Sequence, residues 1–210
     1  MKLKVKICGM REPQNIREVA ALNPEYMGFI FYDKSPRYVG TDFEIPLIES
    51  KIKKVGVFVN ASHEVIVQQV HKYNLSCVQL HGQESPELCS KLRLEGITVI
   101  KVFLIDQLFE FNSLLPYEER VDFFLFDTKG NTYGGTGKPF DWSLLDAYSS
   151  SIPFFLSGGL NPDNLHQLSS IKSKNLFAVD LNSGVEKSPG IKDIAKLEKV
   201  FSELNRALKV

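Results

Sequence analysis

The amino-acid sequence predicts an α/β protein, a single (β/α)8 barrel of parallel strands spanning residues 1–210. Three observations carry that expectation. Short runs rich in Val, Ile, Leu and Phe recur about eight times, each followed by a polar or Gly-containing turn and then a helix-like stretch. The runs are nearly continuous in apolar residues, as strands covered on both faces are. No composition break or linker interrupts the alternation, which is the pattern of βαβ units. A doubly wound open sheet is the competing closure. Eight strands favour the barrel, although the chain sits near the lower limit of a fold that typically takes ~250 residues.

Strands are expected at residues 4–7, 26–31, 54–59, 77–80, 98–103, 122–126, 153–156 and 177–181. A helix over 12–22 has Pro13 in its first turn, where a missing N–H costs little. Helices over 62–73 and 85–94 start on Ser62 and Ser85, side chains suited to the N-cap. Residues 161–169 carry Pro162 early, and 191–208 form a long amphipathic closing helix. Two further candidates are weaker: 42–50 contains Pro46, and 106–119 contains Pro116 in an irregular apolar pattern.

Hydrophobic residues make up 43% and charged residues 24%, as in an ordinary globular protein. The 25 basic side chains balance the 25 acidic ones, so no net field draws the molecule to nucleic acid or to a membrane surface. The start, Met1-Lys2-Leu3-Lys4-Val5-Lys6, is too charged for a signal peptide, and no apolar run approaches the ~20 residues of a membrane span. Cys8, Cys77 and Cys89 form no C-x-x-C pair, which fits reduced thiols in a cytoplasm.

In such barrels the active site lies at the carboxyl ends of the strands. Those positions here are unusually rich in polar and reactive groups: Cys8-Gly9, Ser35-Pro36-Arg37, Asn60, His81-Gly82, Asp127, Ser157-Gly158-Gly159 and Asp180-Leu181-Asn182-Ser183-Gly184. Cys8 closes the first strand and Asp127 abruptly ends an apolar run, whereas Cys77 and Cys89 read as core. The turns at Gly158-Gly159 and Ser183-Gly184 follow the last two strands, where loop amides often hold phosphate. Glycine lets the backbone approach phosphate oxygens closely. The stretch Gly134-Gly135-Thr136-Gly137-Lys138 fails the P-loop pattern, with Thr132 in place of the first glycine and Pro139 after the lysine. It reads as a mobile loop over the site. The four histidines show no metal-ligand spacing, and no G-x-G-x-x-G follows the first strand, so neither a metal nor a dinucleotide cofactor is expected.

These residues, with Phe140-Asp141-Trp142 and Val185-Glu186, appear in an order that resembles the phosphoribosylanthranilate isomerase family of tryptophan biosynthesis. The resemblance runs from the first strand to the last helix. It implies a cofactor-free Amadori rearrangement of a small phosphosugar, with Asp127 as general acid and Cys8 as general base. It further implies that Arg37 meets the anthranilate carboxylate, that His81 and Asp180 line the sugar pocket, and that Gly158, Gly159, Ser183 and Gly184 hold the phosphate. The expected molecule is a cytoplasmic monomer or homodimer. A thiolate base needs its pKa to fall from ~8.5, and Lys6 or Arg37 could lower it. Two rivals remain: an epimerase or aldolase on the same barrel, which would need a metal or a Schiff-base lysine, and a non-catalytic phosphate-ligand sensor, which would need neither Cys8 nor Asp127.

Overall fold

The computed structural model describes residues 3–129 and 140–207. Its eight parallel strands are β1 (Lys4–Ile7), β2 (Tyr26–Ile30), β3 (Lys53–Phe58), β4 (Cys77–Leu80), β5 (Thr98–Ile105), β6 (Phe123–Thr128), β7 (Phe154–Leu156) and β8 (Leu176–Leu181). They form a closed barrel in sequence order, and β8 closes on β1 with Lys6 opposite Asp180. Closure leaves the barrel itself without an open edge, and the doubly wound alternative is set aside.

Alternation along each strand sorts the side chains into two populations. Tyr26, Val55, Cys77, Ile100, Val102, Leu125, Phe155 and Ala178 fill the barrel interior as one cluster. The intervening residues, such as Val5, Met27, Phe58, Val78, Phe124 and Val179, pack outward into the larger core beneath the helices. Continuing the inward set to the end of β6 reaches Asp127, and continuing it past the ends of β1, β4, β7 and β8 reaches Cys8, His81, Ser157 and Asn182. Strand period thus explains why these residues share one mouth.

Among the described residues, four α-helices cover the barrel: α1 (Pro13–Ala21), α2 (His63–Tyr73), α3 (Pro86–Leu94) and α4 (Ile194–Ala207). Ser62 and Ser85 accept from the amides of Val65 and Leu88, the N-caps their positions suggested. Glu12 caps α1 through bonds from Gln14 and Asn15.

The other connections correct the sequence reading. Residues 42–50 form no helix, because Pro46 lacks the N–H that a helix interior needs. The helix expected over 106–119 is a 3₁₀ helix, Phe111–Tyr117, and that over 161–169 becomes a 3₁₀ helix at Leu165–Ser170. A third, Trp142–Ala147, was not anticipated. Their apolar residues recur every third position: Phe111, Leu114 and Tyr117; Trp142, Leu145 and Tyr148; Leu165, Leu168 and Ile171. That spacing suits three residues per turn. The closing helix also begins later than residue 191, because β10 (Ile191–Lys192) pairs antiparallel with β9 (Glu186–Ser188) before the chain turns into α4.

Candidate active site

The mouth of the barrel opens into a cavity of about 930 Å³, counted to its open side. Cys8, Arg37, His81, Asp127, Gly158, Gly159, Asp180, Ser183 and Gly184 all line it, so every candidate residue meets in one place. Gly134, Gly135 and Gly137, read as a mobile loop, lie outside the described residues.

Cys8 sits just past β1, its amide donating to Leu181 O at 2.8 Å. Its thiol and the Lys6 ammonium share space made by Gly28 of β2. A Cβ there would stand 2.8 Å from Cys8 Sγ and 3.2 Å from Lys6 Nζ. Lys6 is completely buried and donates to both Asp180 oxygens, at 2.9 and 3.0 Å. Burial pushes the Asp180 carboxyl up, against the pull of Lys6 and Lys192. Burial works against the Lys6 charge, but Asp180 and Cys8 outweigh it and hold Lys6 protonated.

The expectation of a lowered thiol pKa is corrected here. Burial pushes Cys8 up, and the pull of Lys6 and Lys192 only partly offsets it. Arg37 does not take part in that pull, because its Nε and Nη2 bind Glu186 at 2.7–3.1 Å.

Asp127 projects inward from β6. Burial first, and the Asp180 carboxylate second, push its pKa up to about 6, against a 2.8 Å bond from the Thr128 amide. A carboxyl so placed can carry a proton near neutrality. His81 Nε2 lies 3.7 Å from Asp127 Oδ2, and Gln79 Nε2 lies 3.0 Å from His81 Nδ1. Burial, with Lys6 and Lys101, brings His81 down to about 4, so the ring is neutral at pH 7.

At the neighbouring strand end, just past β7, Gly158 and Gly159 have φ of +93° and +67°. A Cβ on Gly158 would meet Thr128 Oγ1 at 2.1 Å, so backbone and strand end touch there. The Gly159 carbonyl accepts from the side-chain amides of Asn161 and Asn164, which orient that peptide. Among the described residues, neither the Gly158 nor the Gly159 amide has an acceptor.

The match to known proteins decides what this constellation belongs to. Residues 5–203 fit the family model of N-(5'-phosphoribosyl)anthranilate (PRA) isomerase. The chain belongs to that family. An N-(5'-phosphoribosyl)anthranilate isomerase of Parabacteroides distasonis is 47% identical over 208 residues, covering 95% of this chain and 92% of the relative. One of Phocaeicola vulgatus is 43% identical, covering 97% and 98%. The crystal structure of phosphoribosyl anthranilate isomerase from Thermotoga maritima superposes with a TM-score of 0.82 at 35% identity, covering 97% of this chain and 98% of that one.

Several residues of this isomerase-family site escaped sequence reasoning. Glu186 stands in the sequence only as part of the Val185-Glu186 motif, and Lys192 falls within the stretch expected as the closing helix. Both are buried at the mouth, and only the β9–β10 hairpin puts them there. Gln79 had a legible signal: a polar residue inside an apolar strand, two positions before His81.

Proposed function

We propose that this chain converts N-(5-phosphoribosyl)anthranilate into 1-(2-carboxyphenylamino)-1-deoxyribulose 5-phosphate, within a single barrel domain and without a cofactor. The observation that carries the reading is the placement of Cys8 beside Lys6 and of Asp127 on one interior rim, with the Gly158-Gly159 turn on the same cavity. A solved phosphoribosyl anthranilate isomerase, 32% identical with a TM-score of 0.80, is in complex with reduced 1-(o-carboxyphenylamino)-1-deoxyribulose 5-phosphate. A ligand of that kind suits this cavity.

In the first step Asp127 transfers its proton to the furanose ring oxygen as the C1′–O bond breaks. The anilino nitrogen supplies the electron pair for the new C1′=N bond. The Cys8 thiolate then takes the C2′ proton. The C–H electrons form C1′=C2′, and the C=N pair returns to nitrogen, giving the enolamine that tautomerises to the ketose. Lys6, held charged by Asp180, favours the thiolate needed for that second step. Arg37 would receive the anthranilate carboxylate, His81 and Asp180 would border the sugar, and the amides near Gly158, Gly159, Ser183 and Gly184 would hold the phosphate.

A cytoplasmic location belongs to the same reading, and no described helix is long and apolar enough to cross a membrane. So does a monomeric or homodimeric state; the Thermotoga maritima relative, 33% identical, was solved as monomers of a dimeric enzyme. The test is to follow the loss of substrate fluorescence with pure protein and no added metal or nucleotide. Turnover is expected, and its absence would refute the assignment.

A further inference from the structure

Arg37 is not free to turn as a solvated arginine is. Glu186 accepts from its Nε at 2.9 and 3.1 Å and from its Nη2 at 2.7 Å, and the two side chains are 11% and 5% exposed. The same carboxylate accepts from Lys192 Nζ at 2.6 Å and from the Gly190 amide at 3.1 Å. Lys192 also donates to Asn182 Oδ1 at 2.8 Å, tying the cluster to the strand end that precedes Ser183-Gly184. Asn15 of α1 holds the Lys192 backbone from both sides, at 2.7 and 3.0 Å.

Five donor contacts to one buried carboxylate, from two side-chain cations and a backbone amide, are more than neutralising Arg37 would need. They fix a plane. A guanidinium gripped through Nε–H and one Nη2–H keeps the other end of its fork, the two Nη1–H and the second Nη2–H, for a further partner, and Arg37 lines the cavity. Two cations against one carboxylate also leave the cluster with one net positive charge, which an anionic group in the cavity can balance.

We propose that Glu186, backed by Lys192, is a positioning residue that aims the Nη1/Nη2 end of Arg37 into the cavity and so selects substrates bearing a carboxylate on the aryl ring. The proposal rests on the isomerase reading given above. It assigns to the β9–β10 hairpin a part in substrate selection.

Glu186→Gln separates this role from two simpler ones. A glutamine keeps the shape but turns an NH2 group toward Arg37 or Lys192, so donor faces donor and the fork is released. The measurement is the affinity of two ligands by calorimetry: the reduced product analogue named above, and its counterpart built on aniline, which lacks the ring carboxylate. Loss of one charge-assisted contact set predicts about 10–100-fold weaker binding of the carboxylate ligand. The aniline ligand should change by less than about 3-fold, Glu186→Asp should recover part of the loss, and KM should rise more than kcat falls. If Glu186 only damps the positive charge, Glu186→Gln would instead tighten the carboxylate ligand. If it is only structural, both ligands would weaken alike and the melting temperature would fall. Either result overturns the proposal. Failure of the underlying reading looks different: Arg37→Ala would leave the wild-type preference for the carboxylate ligand untouched, or the wild type would show no turnover.

Discussion

At the scale of single residues, the site turns on two groups that both prefer their protons. Burial raises Asp127 to about 6 and raises Cys8 above the ordinary thiol range. In the free protein at neutral pH the majority form therefore has ionised Asp127 and neutral Cys8, whereas the proposed chemistry uses protonated Asp127 with a Cys8 thiolate. The product of those two fractions rises with pH below the Asp127 pKa, where the acid is saturated and thiolate is still growing. It is level between the two pKa values and falls above that of Cys8. The expected kcat/KM profile is thus a broad plateau with a lower limb near pH 6, reporting the free enzyme. A profile climbing steadily past pH 6 without an inflection would contradict the assignment.

The same carboxyl makes a stability prediction. Its folded pKa exceeds the unfolded value of ~3.9, so the folded state binds more protons and stability falls as pH rises through 4 to 6. Asp127→Asn should stabilise the protein at pH 7.5 by about 1–3 kcal/mol in urea unfolding, and by much less at pH 3.5. The same variant, and Cys8→Ser, should each lower kcat by about 10²–10⁴-fold while product-analogue affinity stays near normal. Near-normal rates in both variants would remove the mechanism.

At the scale of elements, the end of β6 and the turn after β7 are packed against each other. Gly158 combines φ of +93° with the 2.1 Å approach that a Cβ would make to Thr128 Oγ1, so Gly158→Ala is strained and crowded at once. It should cost roughly 1–3 kcal/mol and weaken inorganic phosphate binding, measurable by unfolding and by competitive inhibition. Thr128 Oγ1 also accepts from the Phe140 amide at 3.0 Å, so the displacement would reach the end of that connection. The 3₁₀ helices Phe111–Tyr117, Trp142–Ala147 and Leu165–Ser170 illustrate a limit of pattern reading. A period of three over two turns looks like an irregular α-helix, which is why 106–119 reads only as a weak helix candidate. What decides the outcome is the aromatic layer outside β5–β7, where Phe111 meets Phe126, and Tyr148 meets Phe124, Phe126 and Phe154.

At the scale of the whole molecule, a second buried charge network holds the rim on the other side of the barrel. Lys101 of β5 donates to Glu84 at 2.9 Å and to the carbonyls of Leu80 and Gly82, while Glu84 accepts from the amides of Asn60 and Gly82. Three consecutive strand ends are joined this way around His81. Lys101→Met would strand a buried carboxylate, and a loss of about 3–5 kcal/mol is expected in denaturant unfolding. A change under 1 kcal/mol would show that the network contributes little to closure.

The strands were legible almost residue for residue, and so were the helix starts at Ser62 and Ser85. Both follow from local rules: continuous apolar runs for strands buried on two faces, and side-chain oxygens that satisfy the first helical amides. The candidate set at the mouth was legible for a related reason, since strand parity and strand ends place Cys8, His81, Asp127 and Asp180 before any contact is known. Tertiary structure alone decided the partners. Lys6 faces Asp180 because β8 closes on β1 across the whole chain, and Glu186 meets Arg37 across 149 positions of sequence. It also decided the charge states: burial outweighs Lys6 at Cys8, and the sum depends on how much solvent every neighbour removes. Chain order carries period and capping; desolvation and ion pairing exist only once distant segments meet.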